Sequence, residues 1–186
     1  MTDDLLDHPL DHPLDHPLDH VVEAARATGF PFELVPCDPR LADTAEFCAT
    51  YGYSLGQSAN AIVVVGKPSS AAAPRTYAAC LVLATTRLDV NGVVRQRLGT
   101  KKASFADADD TRTMTGMEIG GVTPYGLPAG LSLWIDARIM EVPNVIVGGG
   151  GRDRKLLVPP ASLAALPGAE VVEALAKDPP PPEANY

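Results

Sequence analysis

N-A-I-V-V-V-G at residues 60–66 and Y-A-A-C-L-V-L-A-T at residues 77–85 decide the fold. Short, near-continuous apolar runs rich in β-branched residues read as strands covered on both faces, because neither face is left polar for solvent. K-P-S-S-A-A-A-P-R between them is turn or loop sequence. The two runs are therefore expected to lie side by side as neighbouring core strands.

Upstream, V-V-E-A-A-R-A-T-G has helical spacing and stops at Gly29, and F-E-L-V-P alternates as a strand. Residues 44–51, T-A-E-F-C-A-T-Y, read as a short helix with Asp43 or Thr44 as its cap and Gly52 at its end. Downstream, Asp89 is placed to cap a helix through V-N-G-V-V-R-Q-R-L, ended by Gly99, and K-K-A-S-F follows as a strand. A helix over residues 107–114 has its acids in the first turn, where the helix dipole favours them. Strands are then expected at L-W-I-D-A-R-I from Leu133, N-V-I-V from Asn144, K-L-L-V from Lys155 and A-E-V-V from Ala169, with a helix P-A-S-L-A-A-L opened by prolines. Strands outnumber helices without strict alternation, which indicates an α+β domain around a mixed sheet.

The ends differ in composition from this body. Leu-Asp-His-Pro occurs three times over residues 6–17, and proline at every fourth position excludes a stable helix, so residues 1–18 are expected to be a low-complexity arm. His8, His12, His16 and His20 beside aspartates are metal-ligand types, but a short repeat without a core to fix geometry reads as low complexity, and no metal is expected. Residues 177–186 form a proline-rich tail, which leaves 19–176 as the folded domain.

The net charge of −8 is concentrated in the arm: six of the 23 acids lie in residues 1–20 against none of the 15 Lys and Arg, leaving −2 for the remainder. Within that nearly neutral body, Arg95, Arg97, Lys101 and Lys102 form one basic cluster and Arg152, Arg154 and Lys155 another. Each is either a solvated face or a place to meet phosphates. The start M-T-D-D-L-L lacks the features of a signal peptide, and no apolar run reaches the ~18 residues of a membrane span. Cys37, Cys48 and Cys80 show no C-x-x-C spacing and lie in or beside apolar runs. Reduced core thiols, a cytoplasmic location and no membrane partner are expected.

Chemistry is sought in T-G-M-E-I-G-G-V-T-P-Y-G-L-P, residues 115–128. Its four glycines and two prolines exclude a regular element. Such a loop is either a plain surface turn or a stiff wall of outward-pointing amide N–H groups. Phosphate-loop, serine-elbow, zincin and EF-hand patterns are absent, Gly148–Gly151 lacks dinucleotide-fingerprint spacing, and no histidine follows His20. A Ser–His or Cys–His nucleophile in the body is thus unsupported.

G-G-V-T-P-Y-G, with L-A-T-T-R-L-D-V-N and L-G-T-K-K-A-S-F-A-D upstream and W-I-D-A downstream, resembles the YbaK/EbsC and prolyl-tRNA-synthetase-associated editing domains, over residues 21–172. The resemblance implies a mixed, barrel-like sheet flanked by helices. It implies hydrolysis of the ester joining a wrong amino acid to the 3′ end of tRNA, without metal or cofactor, with mischarged tRNA and an aminoacyl-tRNA synthetase as partners. The pocket wall it implies comprises Gly120, Gly121, Thr123, Pro124 and Gly126, joined by Asp136 and by Gly149 and Gly150 of a second glycine loop.

The expected roles are amide polarisation of the ester carbonyl by Gly120, Gly121 and Gly126, and orientation of amino group and water by Thr123 and Asp136. Asn60 contacts the acceptor end, and Lys101, Lys102 and Arg152 are the candidate nucleic-acid contacts. Where the family commonly has a lysine before the first long strand, this chain has Asn60, which offers neutral hydrogen bonds instead of a charge. That departure keeps a second class open, a non-catalytic module that binds tRNA or docks on a synthetase. Met117, Val122 and Tyr125 are the side chains near the loop that could set pocket size.

Overall fold

With strands numbered along the chain, β2 (Ala59–Lys67) and β3 (Thr76–Leu83) form the expected antiparallel pair, in register from Ala59 opposite Leu83 to Gly66 opposite Thr76. The computed structural model describes residues 19–68, 70 and 73–180. The arm over residues 1–18 and its first three histidines lie outside the described residues. Consecutive residues of β3 enter two different cores: Ala79, Leu81 and Leu83 face one, Ala78, Cys80 and Val82 the other. A strand covered on both sides has no polar face to show, which is why its sequence does not alternate. Burial pushes the Cys80 thiol up to about 12.

Around this pair a five-stranded sheet forms in the order β5-β2-β3-β6-β9, with β5 (Lys102–Phe105) antiparallel to β2 and with β6 (Ser132–Asp136) and β9 (Ala169–Val172) parallel to β3 and β6 respectively. One face packs against α1 (Asp19–Ala27), through Val21 and Ala25, and against α5 (Pro160–Ala164), through Leu163. The other is covered by the segment from Leu88 to Val94 and by Val172, Leu175 and Ala176. A separate antiparallel sheet, β1-β8-β7, joins Glu33–Pro36, Arg154–Val158 and Val145–Gly148. Over it lies α2 (Thr44–Tyr51), whose Phe47 and Cys48 pack with Val35, Cys37 and Ile146. A third, two-stranded sheet pairs β4 (Arg87–Leu88) with β10 (Ala176–Lys177). The fold is α+β, as expected, but its sheets do not close into a barrel.

Three local expectations need amending. L-W-I-D-A-R-I is strand only to Asp136, because that side chain caps a following 3-10 turn, Ala137–Glu141, by accepting from Arg138 N. The helix capped by Asp89 opens as a π-turn over Val90–Val94 before α3 (Arg95–Arg97), with the Asp89 carboxylate accepting from the amides of Gly92 and Val93. The boundary expected at 176 falls inside β10, and Lys177 also pairs with Asp89 at 3.0 Å. By contrast, α4 (Ala108–Thr115) starts at the Asp107 cap as read, with Asp107 accepting from Asp110 N. No helix among the described residues is long and apolar enough to cross a membrane.

Candidate active site

Among the described residues an isolated bridge between Ser58 and Ile146 links the start of β2 to β7, and a cavity of about 190 Å³ opens beside it. Four pieces of chain line it: Ala42, Asp43, Thr44 and Phe47 at the start of α2; Ser58 to Ala61 at the start of β2; Gly120 and Val122 of the glycine–proline loop; and Ile146 to Gly148 at the end of β7. Lys155 of β8 completes it. Only small side chains stand at Ala42, Ala59, Ala61, Gly120 and Gly148, so main chain forms much of the wall.

The two glycine loops are packed backbone against backbone. Gly150 N donates to Gly121 O at 2.7 Å, and Glu118 N donates to Gly150 O at 3.1 Å. A methyl group at Gly121 would run into the Gly151 carbonyl, and one at Gly148 into the carbonyls of Gly121 and Val122. Glycine is required at both positions by closeness, and at Gly120 also by a φ of 89°.

Asn60 and Gly120, read from the sequence as site residues, do converge on this cavity. Asn60 Oδ1 accepts from Thr44 Oγ1 at 2.7 Å, which turns the amide nitrogen into the donor left for a ligand. The other expected residues are placed differently. Gly121 N–H is directed at Glu118 O, 2.9 Å away, and so is not offered to a substrate. Pro124 and Gly126 line a separate, largely apolar groove beside α1, where Gly126 lies against His20. Thr123 is fully buried, and its Oγ1 has no hydrogen-bond partner among the described residues. Gly149 packs on Arg154, and of the second loop it is Gly148 that reaches the cavity.

Asp136 is 1% exposed and lies outside this cavity. Its carboxylate accepts from Arg138 Nε at 2.9 Å and from Ala176 N at 2.7 Å, so it ties β6 to β10. Lys101 and Lys102 are exposed at the outer edge of the large sheet. Arg152 is not part of the cavity lining; it bonds to Asp43 Oδ1 (3.2 Å), Pro39 O (3.0 Å) and Ile119 O (3.4 Å), clamping the glycine loop to the segment before α2. Of the three side chains considered for pocket size, Val122 lines the cavity, while Met117 and Tyr125 are core. The Tyr125 hydroxyl is bonded to Ser162 Oγ at 2.5 Å.

Thr44, Ser58 and Lys155 were not among the expected pocket residues. Lys155 was legible only as part of a basic cluster. Its neighbours Leu156 and Val158 face the main core, so alternation turns Lys155 to the opposite face, which is solvent in a bare sheet but here is roofed by α2. Its ammonium donates to Ala42 O at 2.8 Å and Gly120 O at 2.9 Å and stands 5.6 Å from the Phe47 ring centre. Desolvation lowers its pKa from the ordinary lysine value. It forms no ion pair among the described residues.

A model of the aminoacyl-tRNA editing domain family matches residues 38–166, which contain all four walls of the cavity. The chain belongs to that family. Among solved structures, this editing domain is similar to a protein described as a candidate trans-editing enzyme for prolyl tRNA synthetase. They share 26% identity and a TM-score of 0.72, over 88% of this chain and 99% of the other. It is also similar to hypothetical protein APE2540, at 25% identity and a TM-score of 0.73, over 85% of this chain and 99% of that one. The editing-domain match spans α2, both glycine loops and β8, so the family assignment and the cavity rest on the same residues.

Proposed function

We propose that this editing domain is a deacylase that hydrolyses, in trans, the ester linking a wrong amino acid to the 3′ end of a tRNA. The observation that carries the reading is the convergence of Asn60 and the Gly120 wall on one small, main-chain-lined cavity within the family match. Likeness over nearly the whole of a candidate trans-editing enzyme supports action on a separately delivered tRNA.

An aminoacyl ester is already activated. Water adds to the carbonyl carbon, the bond to the ribose oxygen breaks, and that oxygen leaves with a proton as the free hydroxyl. A site for this chemistry needs oriented donors at the developing oxyanion, each worth about 3 kcal/mol, and no protein nucleophile. The side-chain amide of Asn60, fixed by Thr44, is one such donor. Gly121 and Gly126 are not assigned that role, because their placement keeps them from the cavity. Asp136 is not assigned one either, and Thr123 supports the loop from within the core. Val122, Ala59 and Ala61 limit the space, and about 190 Å³ suits a small amino acid.

Asn60 at a position where the resemblance leads one to expect lysine favours a second reading, a tRNA-binding module without turnover. Incubation with a panel of mischarged tRNAs separates the two. Release of amino acid above the uncatalysed rate for at least one pair supports the deacylase; tRNA binding with no release from any pair supports the module.

A further inference from the structure

We propose that Lys155, which lines the same cavity as Asn60 from a different strand, supplies the site's positive charge, as the cation that meets the oxyanion of the tetrahedral intermediate. The inference rests on the deacylase reading for its reaction, but its geometric basis is independent of it. An ammonium group has three N–H donors, and two are taken by the carbonyls of Ala42 and Gly120. The third is left beside the cavity that Lys155 lines.

Lys155 is 7% exposed, and no carboxylate among the described residues pairs with it. The carboxylate nearest in influence, Asp43 on the same cavity, is already bridged to Arg152 at 3.2 Å, so the buried ammonium is poorly compensated and an anion entering the cavity would offset that. The Phe47 face adds a weak attraction and no counter-charge. The two carbonyl bonds also hold the ammonium still, so little rearrangement is needed as charge develops on the substrate. A chain with asparagine on β2 thus keeps a cation, delivered from β8.

The test uses two stable adenosine analogues. One is the 3′-monoester of 1-aminoethylphosphonate, an anionic tetrahedral mimic. The other is the alanine amide of 3′-amino-3′-deoxyadenosine, which keeps the same ammonium group but has an uncharged planar carbonyl at the reacting centre. The wild-type chain is expected to bind the phosphonate at least tenfold more tightly. Lys155→Met should erase that preference and slow deacylation on the order of a hundredfold. Adding Asn60→Lys to Lys155→Met should restore the preference, which a lysine acting only as a tie between Ala42 and Gly120 would not allow.

A folded Lys155→Met protein that keeps both the preference and the rate overturns the proposal. A wild-type chain that hydrolyses nothing but shows the preference, with Lys155→Met erasing it, would leave the anion site standing while the deacylase reading falls. Should Lys155→Met not fold, a crystal structure of the wild-type phosphonate complex decides. A phosphonate oxygen within about 3.2 Å of Lys155 Nζ supports the assignment, and one beyond about 4 Å contradicts it.

Discussion

The Gly150 amide donates to the Gly121 carbonyl at 2.7 Å, so the two glycine loops are one structural unit rather than two flexible walls. Through that bond the position of Gly120, and with it one side of the cavity, depends on the turn after β7. Glycines that look like a row of outward amides in sequence are there chiefly because main chain meets main chain.

Gly121→Ala is expected to lower stability by about 1–3 kcal/mol and turnover by tenfold or more, since the new methyl group meets a backbone carbonyl that cannot swing aside. Thermal melts and single-turnover deacylation measure the two effects. Gly130→Ala, where nothing lies within 4 Å of the added methyl but φ is 91°, should show a stability loss without the catalytic one.

Asp136→Ala should unsettle the fold, not the chemistry. It leaves Ala176 N and the Arg138 guanidinium without their buried acceptor, an expected loss of about 2–4 kcal/mol in denaturant melts. The rate per folded molecule should stay within threefold of wild type; a tenfold fall in that rate would return Asp136 to the active site.

Thr44 and Asn60 are expected to act as a pair. Asn60→Ala should slow deacylation on the order of a hundredfold, and Thr44→Val less, by freeing the amide to rotate. In a double-mutant cycle the Thr44→Val effect should largely vanish in the Asn60→Ala background, and full additivity would show that Thr44 works by another route.

The pH dependence follows from Lys155. Desolvation lowers its pKa, with Arg152 lowering it further, while Cys37, Asp43 and Cys48 around it oppose the shift. The cation is therefore lost below the ordinary lysine value, and deacylation corrected for the alkaline background should decline as pH rises through that lowered pKa. Stability moves the other way. Between the folded pKa and the higher unfolded one the unfolded chain holds more protons, so this group makes the fold more stable as pH rises across that window. Chemical denaturation across the same pH range checks the sign, and Lys155→Met should flatten both profiles.

Lys67 and Lys102 stand directly opposite each other on the exposed edge of the large sheet, with Lys101 adjacent. Like charges in that position repel, and a phosphate between them would relieve the repulsion. Replacing Lys101 and Lys102 by glutamine is expected to weaken tRNA binding and to reduce its salt slope by roughly 1 for each phosphate no longer neutralised. Unchanged binding in a filter or fluorescence titration would mark the cluster as a solvated edge.

Much of the fold was legible because its signals are local. The cap at Asp107, the left-handed glycine at Gly52 and the doubly covered runs of β2 and β3 each depend on a few adjacent residues. What escaped depends on distant partners. The strand at Leu133 reads too long in sequence because the end of β6 is set by Asp136 bonding forward to Arg138 and across to Ala176. Lys155 looks like a surface charge until α2 covers its side of β8. The order of motifs indicated the family, and with it the loop. It could not say which glycine amides are already bonded within the protein, nor that Pro124 and Gly126 face a different groove.

The most direct test of the account is the single-turnover deacylation rate of the wild-type chain, Lys155→Met and the Asn60→Lys, Lys155→Met double variant on whichever mischarged tRNA the wild type hydrolyses fastest. The account predicts a rate well above background for the first, a loss on the order of a hundredfold for the second, and substantial recovery for the third. Equal rates for all three, in folded proteins, would contradict it.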